Sequence, residues 1–347
     1  MRHNQLKQSF HRFLNSCVII SASLVLMVIT AAAAIGIRVN TADFPEFLGN
    51  SPTNIAHIKL TTDPNEFTFI VAGDIKCGTA TFEAMLDIIH PDNPAFAVIL
   101  GDFVDHAELI SHKLFALEMA EHTRNFPTFL VVGNHDISEN GPFSLEDFED
   151  IYGPSQFNFT IHKNLFIFLN DISPYNQAEQ YLTFLEQAVS NQTEEIENTF
   201  IFMHVPPSGL NSSLMCNGLF GSDKFLQLTR KYHINYVFAG DHHGYVKTEK
   251  DGTTFVVTGG GGAKLRGKHG RFHHLVRMSV KDSKITETVA ITKRQMETWE
   301  LLERNLIVYI WPIITRNSTS VAVTIVIVGL AIWSLIFSFR RRRRLVS

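Results

Sequence analysis

Residues 96–105 read FAVILGDFVD, and residues 126–136 read FPTFLVVGNHD. Each stretch is an almost continuous apolar run that ends in glycine and polar side chains. The earlier stretch 66–76, EFTFIVAGDIK, has the same form. Continuous apolar runs of this length are typical of strands that are covered on both faces. The three stretches therefore predict buried strands at 66–74, 95–102 and 126–134, each delivering polar residues at its carboxyl end.

Amphipathic helical patterns fill the gaps between these strands, with one face made by Phe82, Met85, Leu86 and Ile89 and another by Ile110, Leu114 and Leu117. This β-α-β-α-β order predicts parallel neighbouring strands joined by right-handed crossovers. Further strands are predicted at 157–170 (a hairpin), 199–204, 234–240 and 254–258, and further helices at 177–190 and 223–233. Two packed sheets with helices outside both would bury this many apolar strands.

A membrane span is predicted near the carboxyl end of the chain. Val321–Phe339 is an uncharged apolar run of 19 residues. At a rise of 1.5 Å per residue it spans about 28 Å, close to the thickness of a bilayer's hydrocarbon core. The five arginines that follow, Arg340–Arg344, are typical of the cytoplasmic side.

The amino-terminal apolar run, Cys17–Ile37, follows three basic residues, Arg2, Lys7 and Arg12. Its small-residue end resembles a signal-peptidase site, whereas its length favours an uncleaved anchor. Either way, basic residues at both ends predict that residues 38–318 lie outside the cytoplasm. The predicted organisation is a signal anchor or signal peptide (1–37), a linker (38–65), an α/β domain (66–295), a juxtamembrane segment (296–320), a transmembrane helix (321–339) and a basic cytoplasmic tail (340–347).

The charge balance argues against a nucleic-acid-binding protein. Eight of the 30 basic residues lie in the two ends, which leaves 22 against 34 acidic residues elsewhere. A protein that grips the nucleic acid backbone needs a basic face. The expected partner is instead the lipid bilayer. Cys77 and Cys216 could form a disulfide outside the cytoplasm, and sequons at Asn158, Asn191, Asn211 and Asn317 would be used only in a glycosylating host.

The residues that carry chemistry follow the apolar strands, at Asp74, Asp102, Asp105, Asn134, His135, Asp136, His204, Asp241, His242 and His243. The carboxyl ends of strands in an open α/β sheet form one edge, the rim, where ligands bind. A dense group of carboxylates and imidazoles at a rim is costly unless a cation neutralises it. Divalent metals accept such mixed oxygen and nitrogen ligands, so the sequence predicts a metal centre.

The ordered motifs GD, GDxxD, GNHD, a histidine after a strand and a glycine-anchored histidine pair resemble the calcineurin-like metallophosphoesterases over residues 66–280. The resemblance implies a four-layer α/β/β/α sandwich with two divalent metal ions (Mn, Fe, Zn or Mg) at the rim. It also implies that a hydroxide held between the metals hydrolyses a phosphoester substrate.

The resemblance also implies roles for single residues. Asp102 would bridge the two metals. Asp74 and His243 would bind the first metal, and Asn134 and His204 would bind the second. His135 would protonate the leaving oxygen or stabilise its charge. Asp105 would orient His135 by accepting its other ring proton.

Two positions depart from the family pattern. Lys76 stands where the first motif commonly has histidine, and an ammonium has no lone pair for a metal. The first metal site is therefore short of a ligand, and Lys76 could instead bind a phosphate oxygen. Asp241 stands where the last motif commonly begins with histidine, although aspartate remains a ligand for Mg or Mn; His242 could substitute for it. Both departures favour an alternative function, a catalytically silent binding ectodomain.

Overall fold

The computed structural model describes residues 2–76, 78–89, 94–122, 126–172, 178–193, 195–210, 214, 218–266, 270–293 and 298–344. It comprises two compact units. One is an α/β unit, Ala42–Glu300, and the other is a helical unit made of Met1–Thr41 and Leu301–Ser347. The candidate disulfide between Cys77 and Cys216 and the Asn211 sequon lie outside the described residues.

The strands of the α/β unit are β1 (Glu66–Ala72), β2 (Phe96–Ile99), β3 (Thr128–Leu130), β4 (Phe157–Ile161), β5 (Asn164–Phe168), β6 (Asn198–Phe202), β7 (Tyr236–Ala239), β8 (Tyr245–Lys250), β9 (Thr253–Thr258), β10 (His273–Lys281) and β11 (Lys284–Thr292). They form a five-stranded sheet in the order β11-β10-β1-β2-β3 and a six-stranded sheet in the order β4-β5-β6-β7-β9-β8. As predicted, β1, β2 and β3 are parallel, and β4 and β5 form a hairpin.

A layer of phenylalanine rings joins the two sheets. Phe69 on β1 packs against Phe166 and Phe200 of the other sheet, with ring centroids 5.5 and 5.3 Å apart. Alternate residues of β1, such as Ile70, face the opposite way into a second apolar cluster. Successive side chains of a strand point to opposite faces, so a strand buried on both faces must be apolar throughout.

Helices cover the outer face of each sheet. Those of the α/β unit are α2 (Pro52–Thr61), α3 (Thr79–Ile89), α4 (Leu109–His122), α5 (Leu145–Tyr152), α6 (Ala178–Ser190) and α7 (Ser222–Lys231). Side chains of α3, α4 and α5 pack on the first sheet, and side chains of α6 and α7 pack on the second. The predicted α/β fold, with two sheets flanked by helices, is confirmed.

Several local expectations differ from the structure. β3 ends at Leu130 instead of Asn134, because the chain leaves the sheet and bonds to the neighbouring loop. The predicted linker 38–65 contains α2, whose Ile58 is fully buried, and Asn50 Nδ2 donates to the Leu130 carbonyl at 2.8 Å. The strands β8, β10 and β11 and the helix α5 were not predicted, because polar residues interrupt their apolar positions.

The helical unit contains α1 (Arg2–Asn40), a π-helical turn (Leu306–Ile310), α9 (Trp311–Arg316) and α10 (Ser318–Arg344); α8 (Thr298–Asn305) leads into it. Within the described residues, Ser16–Asn40 of α1 is long and apolar enough to cross a membrane. The helical segments Leu301–Arg316 and Ser318–Leu330 meet at an angle of 93°. They would count as a second span only if the two together form one broken membrane-crossing helix. The predicted span 321–339 lies inside α10.

Candidate metal centre

The predicted ligands come from the carboxyl ends of strands in two sheets rather than from the rim of one. Asp74, Asp102 and Asn134 follow β1, β2 and β3 of the first sheet, whereas His204 and His243 follow β6 and β7 of the second. The expectation of a single sheet edge was therefore wrong. Because the sheets are stacked, their carboxyl ends form one shared rim above the phenylalanine layer.

Main-chain hydrogen bonds fasten the loops of the first sheet to one another. Asp74 N donates to the Gly101 carbonyl at 3.1 Å, and Lys76 N donates to the Asp102 carbonyl at 2.9 Å. A Cβ atom on Gly133 would lie 2.2 Å from Asp102 N, so only glycine lets the GNHD loop approach the GDFVD loop this closely. The polar residues are thus presented by loops held at fixed positions.

Four of the predicted site residues have a left-handed backbone: Asp74, Lys76, Asp102 and Asp241, with φ of 57°, 45°, 53° and 61°. This conformation is uncommon for residues other than glycine, and asparagine and aspartate tolerate it best. Such strained backbone concentrates at functional sites. Here it turns each side chain into the rim directly after its strand.

One set of potential ligands surrounds Oδ1 of Asp102. His204 Nε2 lies 3.5 Å from this oxygen and 3.2 Å from Asn134 Oδ1. Asp102 and His204 are buried, while Asn134 lies at the exposed side of the centre. These three residues are the ones expected to hold the second metal.

A second set shares Asp102. Asp74, Asp102 and His243 are all buried, and each offers a ligand atom within 4.8 Å of the others. His243 Nε2 lies 3.2 Å from Asp74 Oδ1, yet neither carboxylate oxygen of Asp74 accepts a hydrogen bond from the described residues. The distance is that of an ion pair without the alignment of a hydrogen bond. A fully buried carboxylate in this state is short of a cation or a proton.

Three histidines are oriented by main-chain carbonyls. The Nδ1 atoms of His135, His204 and His243 lie 2.8, 2.7 and 2.9 Å from the carbonyls of Asp105, Leu100 and Lys264. Because a carbonyl only accepts, each Nδ1 carries the proton and each Nε2 faces the carboxylates. Metal-binding histidines are held in this way. Asp105 accepts the His135 ring proton through its carbonyl oxygen.

The electrostatics of the centre indicate a deficit of positive charge. Burial alone lowers the pKa of an imidazole, but the charges of Asp102 and Asp74 raise the pKa of His204 to about 9. Burial raises the pKa of Asp74. For Asp102 burial acts in the same direction, but neighbouring positive charge, foremost that of His204 and Lys76, outweighs it and lowers the pKa.

Lys76 lies inside the centre. Its Nζ is 3.0 Å from Asp102 Oδ2, and its side chain is 11% exposed. Asp241 follows β7 and its charge contributes to the raised pKa of His204, but Asp241 does not belong to the compact group of Asp74, Asp102 and His243. The neighbouring His242 is buried, and burial lowers its pKa.

Two further carboxylates position the loops of the site. Asp136 was among the polar residues expected at the rim but had no assigned role, and Asp171 was not predicted. Asp136 Oδ2 accepts hydrogen bonds from the main-chain N–H groups of Asp102 and Gly133, and its Oδ1 accepts from Phe103 and Val104. Asp171 accepts from the N–H groups of His204 and Val205. Asp136 stands within the GNHD motif, which was a usable signal; Asp171 has no such signal.

The donor set fits a divalent metal. It combines carboxylate and amide oxygens with imidazole nitrogens, a mixture that suits Mn, Fe or Zn. The unsatisfied oxygens of Asp74 and the raised pKa of His204 both indicate missing positive charge. A metal at this position would require the neutral form of His204, because a ligand histidine must be unprotonated at the coordinating nitrogen.

A family model described as calcineurin-like phosphoesterase matches residues 67–245. No curated protein matches the chain by sequence.

The solved structures similar to this chain include three with sequence identities of 13–15%. A dimetal phosphatase from Danio rerio is 13% identical, with 66% of this chain and 97% of that chain covered and a TM-score of 0.50. Purple acid phosphatase PPD1 of yellow lupin is 15% identical, covering 65% and 51% of the two chains, with a TM-score of 0.48. GAP50, the anchor in the inner membrane complex of Plasmodium, is 13% identical, covering 70% and 95%, with a TM-score of 0.45.

Proposed function

Because this chain belongs to the calcineurin-like phosphoesterase family, we propose that it is a membrane-anchored, metal-dependent phosphoesterase that hydrolyses a phosphate ester outside the cytoplasm. The observation that carries the proposal is the convergence of two ligand sets on one buried carboxylate, that of Asp102. A buried aspartate without a partner charge is unfavourable. Metal binding would explain why two sets of potential ligands, from two sheets, share the buried carboxylate of Asp102.

We propose metal-binding roles for the residues of both ligand sets. Asp102, Asn134, His204 and, from its motif position, Asp241 would hold one ion, and Asp74, Asp102 and His243 would hold the other. A divalent ion supplies Lewis-acid stabilisation of charge on a phosphate and lowers the pKa of water.

His135 is the proposed general acid. Its Nδ1 proton is held by the Asp105 carbonyl, so its Nε2 is free to carry and release a proton at the rim. This nitrogen lies 3.9 Å from Asp102 Oδ2, and the side chain is 38% exposed. It is therefore beside the metal ligands and still reachable by a leaving alkoxide, as proton transfer to a substrate requires. The ammonium of Lys76 is the proposed contact for a phosphate oxygen.

Membrane anchoring is proposed through α1 and α10. The apolar part of α1 has the length of a span, and a Cβ on its Gly36 would lie 2.1 Å from the ring of Trp311. This close packing supports retention of α1 as an anchor, because cleavage would leave Trp311 without its partner. The basic residues at both ends support an extracytoplasmic α/β unit and a cytoplasmic tail. In a glycosylating host, glycans at the exposed Asn158 and Asn191 would test this orientation; their absence would contradict it.

The experiment that tests the enzymatic proposal uses the full chain in detergent with Mn²⁺ and two substrates, an aryl phosphate and its bis-ester. Asp102→Asn and His135→Ala should each lower the rate at least about 100-fold, the usual contribution of a metal ligand or a general acid. Asp150→Asn and His57→Ala change exposed residues of the same types and should retain the wild-type rate. Hydrolysis that is indifferent to the first two substitutions would refute the proposal.

A catalytically silent binding ectodomain is the second candidate function. The observation in its favour is the ion pair between Lys76 and the proposed bridging carboxylate of Asp102, because an ammonium at that oxygen opposes a metal. A silent ectodomain would bind no divalent metal at saturation and hydrolyse neither substrate.

A further inference from the structure

We propose that the ammonium of Lys76 occupies one of the two cation positions at Asp102, so that the cluster holds one divalent ion instead of two. The inference rests on the proposed function and narrows it. The family resemblance implies a pair of metals; the side chains of this particular chain favour one metal and one fixed organic cation.

The two oxygens of the Asp102 carboxylate have different neighbours. Oδ1 lies 3.5 Å from His204 Nε2, on the side of Asn134. Oδ2 lies 3.0 Å from Lys76 Nζ, in a pair whose side chains are 11% and 1% exposed. The Oδ1 side of the carboxylate therefore faces His204 and Asn134, which can both act as metal ligands. The Oδ2 side already has the Lys76 ammonium at contact distance.

The backbone holds Lys76 in this position. Its φ of 45° is left-handed, an unusual conformation for lysine, and its N–H donates to the Asp102 carbonyl at 2.9 Å. Lys76 is thus fastened through its main chain to the same residue that its side chain neutralises. A lysine that merely carried charge on the surface would need neither the strained backbone nor the burial of its stem.

The remaining ligands of the first metal are nevertheless in place. Asp74, Asp102 and His243 offer atoms within 4.8 Å of one another, a spacing that suits a metal. What opposes an ion there is the Lys76 ammonium, because a divalent ion at the same carboxylate would be repelled by it over a few ångströms in a buried environment. The first site therefore keeps its ligands but is occupied by the Lys76 ammonium, and replacing the lysine should allow a metal to bind there.

The test measures the number of bound metal ions and their magnetic coupling, and neither measurement depends on activity. Full chain in detergent is dialysed against saturating Mn²⁺, its metal content is measured by elemental analysis, and its electron paramagnetic resonance spectrum is recorded. Wild type should hold one Mn²⁺ per chain with the spectrum of an isolated ion. Lys76→His should hold two, with the spectrum of an exchange-coupled pair, because histidine tolerates a positive φ and supplies a ligand.

Two further variants keep the result interpretable. Lys76→Asn suits the left-handed backbone even better and should also raise the metal content to two. Lys59→His adds a histidine at an exposed position of α2 and should leave it at one.

Two coupled ions in wild type, or one ion in both Lys76 variants, would overturn the inference and leave the proposed function standing. No ion in wild type would overturn both and favour the silent ectodomain.

Discussion

Asp136→Asn tests whether the two ligand-bearing loops are held by one buried carboxylate. Whichever way the new amide turns, its NH₂ group faces two main-chain donors, either those of Asp102 and Gly133, both at 2.8 Å, or those of Phe103 and Val104, at 3.0 and 3.2 Å. Each buried donor left without an acceptor costs about 1–3 kcal/mol, so the loss is about 2–6 kcal/mol.

The lower half of that range is expected. Burial, together with the charge of Asp102, raises the pKa of Asp136 to about 7, so the wild-type protein bears a cost for keeping this carboxylate ionised. Asparagine removes that cost and offsets part of the lost hydrogen bonding. We therefore expect the free energy of unfolding to fall by about 2–4 kcal/mol.

The assay is denaturant unfolding of the full chain in detergent at pH 8, above the raised pKa of Asp136. Asp150→Asn, an exposed change on α5, serves as the control and should match wild type. Mn²⁺ affinity should fall as well, because Asp102 and Asn134 lie on the two loops that Asp136 joins. Unfolding of Asp136→Asn within about 0.5 kcal/mol of wild type, the range usual for surface changes, would refute the reasoning.

The buried ring of His112 predicts a pH effect. Burial lowers its pKa to about 3, so the stability that His112 contributes above pH 6.5 is lost as pH falls towards 3. The stability advantage of wild type over His112→Gln should therefore shrink by about 2–3 kcal/mol between pH 6.5 and 4.5. A pH-independent difference would contradict this. In the helical unit, Gly36→Val forces a side chain into the ring of Trp311, whereas a side chain at Gly329 meets no atom within 4 Å. Gly36→Val should therefore lower stability in detergent by about 1–3 kcal/mol and Gly329→Val should not; equal melting temperatures would indicate that α1 is not retained.

The sequence was sufficient where burial imposes a continuous apolar pattern. β1, β2 and β3 are apolar on both faces because phenylalanines face the other sheet and residues such as Ile70 face helices. The glycine and polar residue after each strand marked the loops that carry the proposed ligands, which the fold brings together in one largely buried centre. The family membership inferred from those motifs was confirmed.

Other features depend on contacts between distant segments and left no pattern in the sequence. β10 and β11 carry polar residues on one face, and β10 joins the sheet beside β1 from far along the chain. The division of the ligands between two sheets follows from strand order, which periodicity does not encode. The partner of Lys76 could not be predicted either, because its ion pair with Asp102 requires the loops after β1 and β2 to meet.

The phenylalanine layer between the sheets also determines how far apart the two groups of proposed ligands lie. Asp74, Asp102 and Asn134 follow strands of one sheet, whereas His204, Asp241 and His243 follow strands of the other. Rings such as Phe69 and Phe200, which pack between the sheets with centroids 5.3 Å apart, therefore help to set the spacing of the side chains at the rim above them.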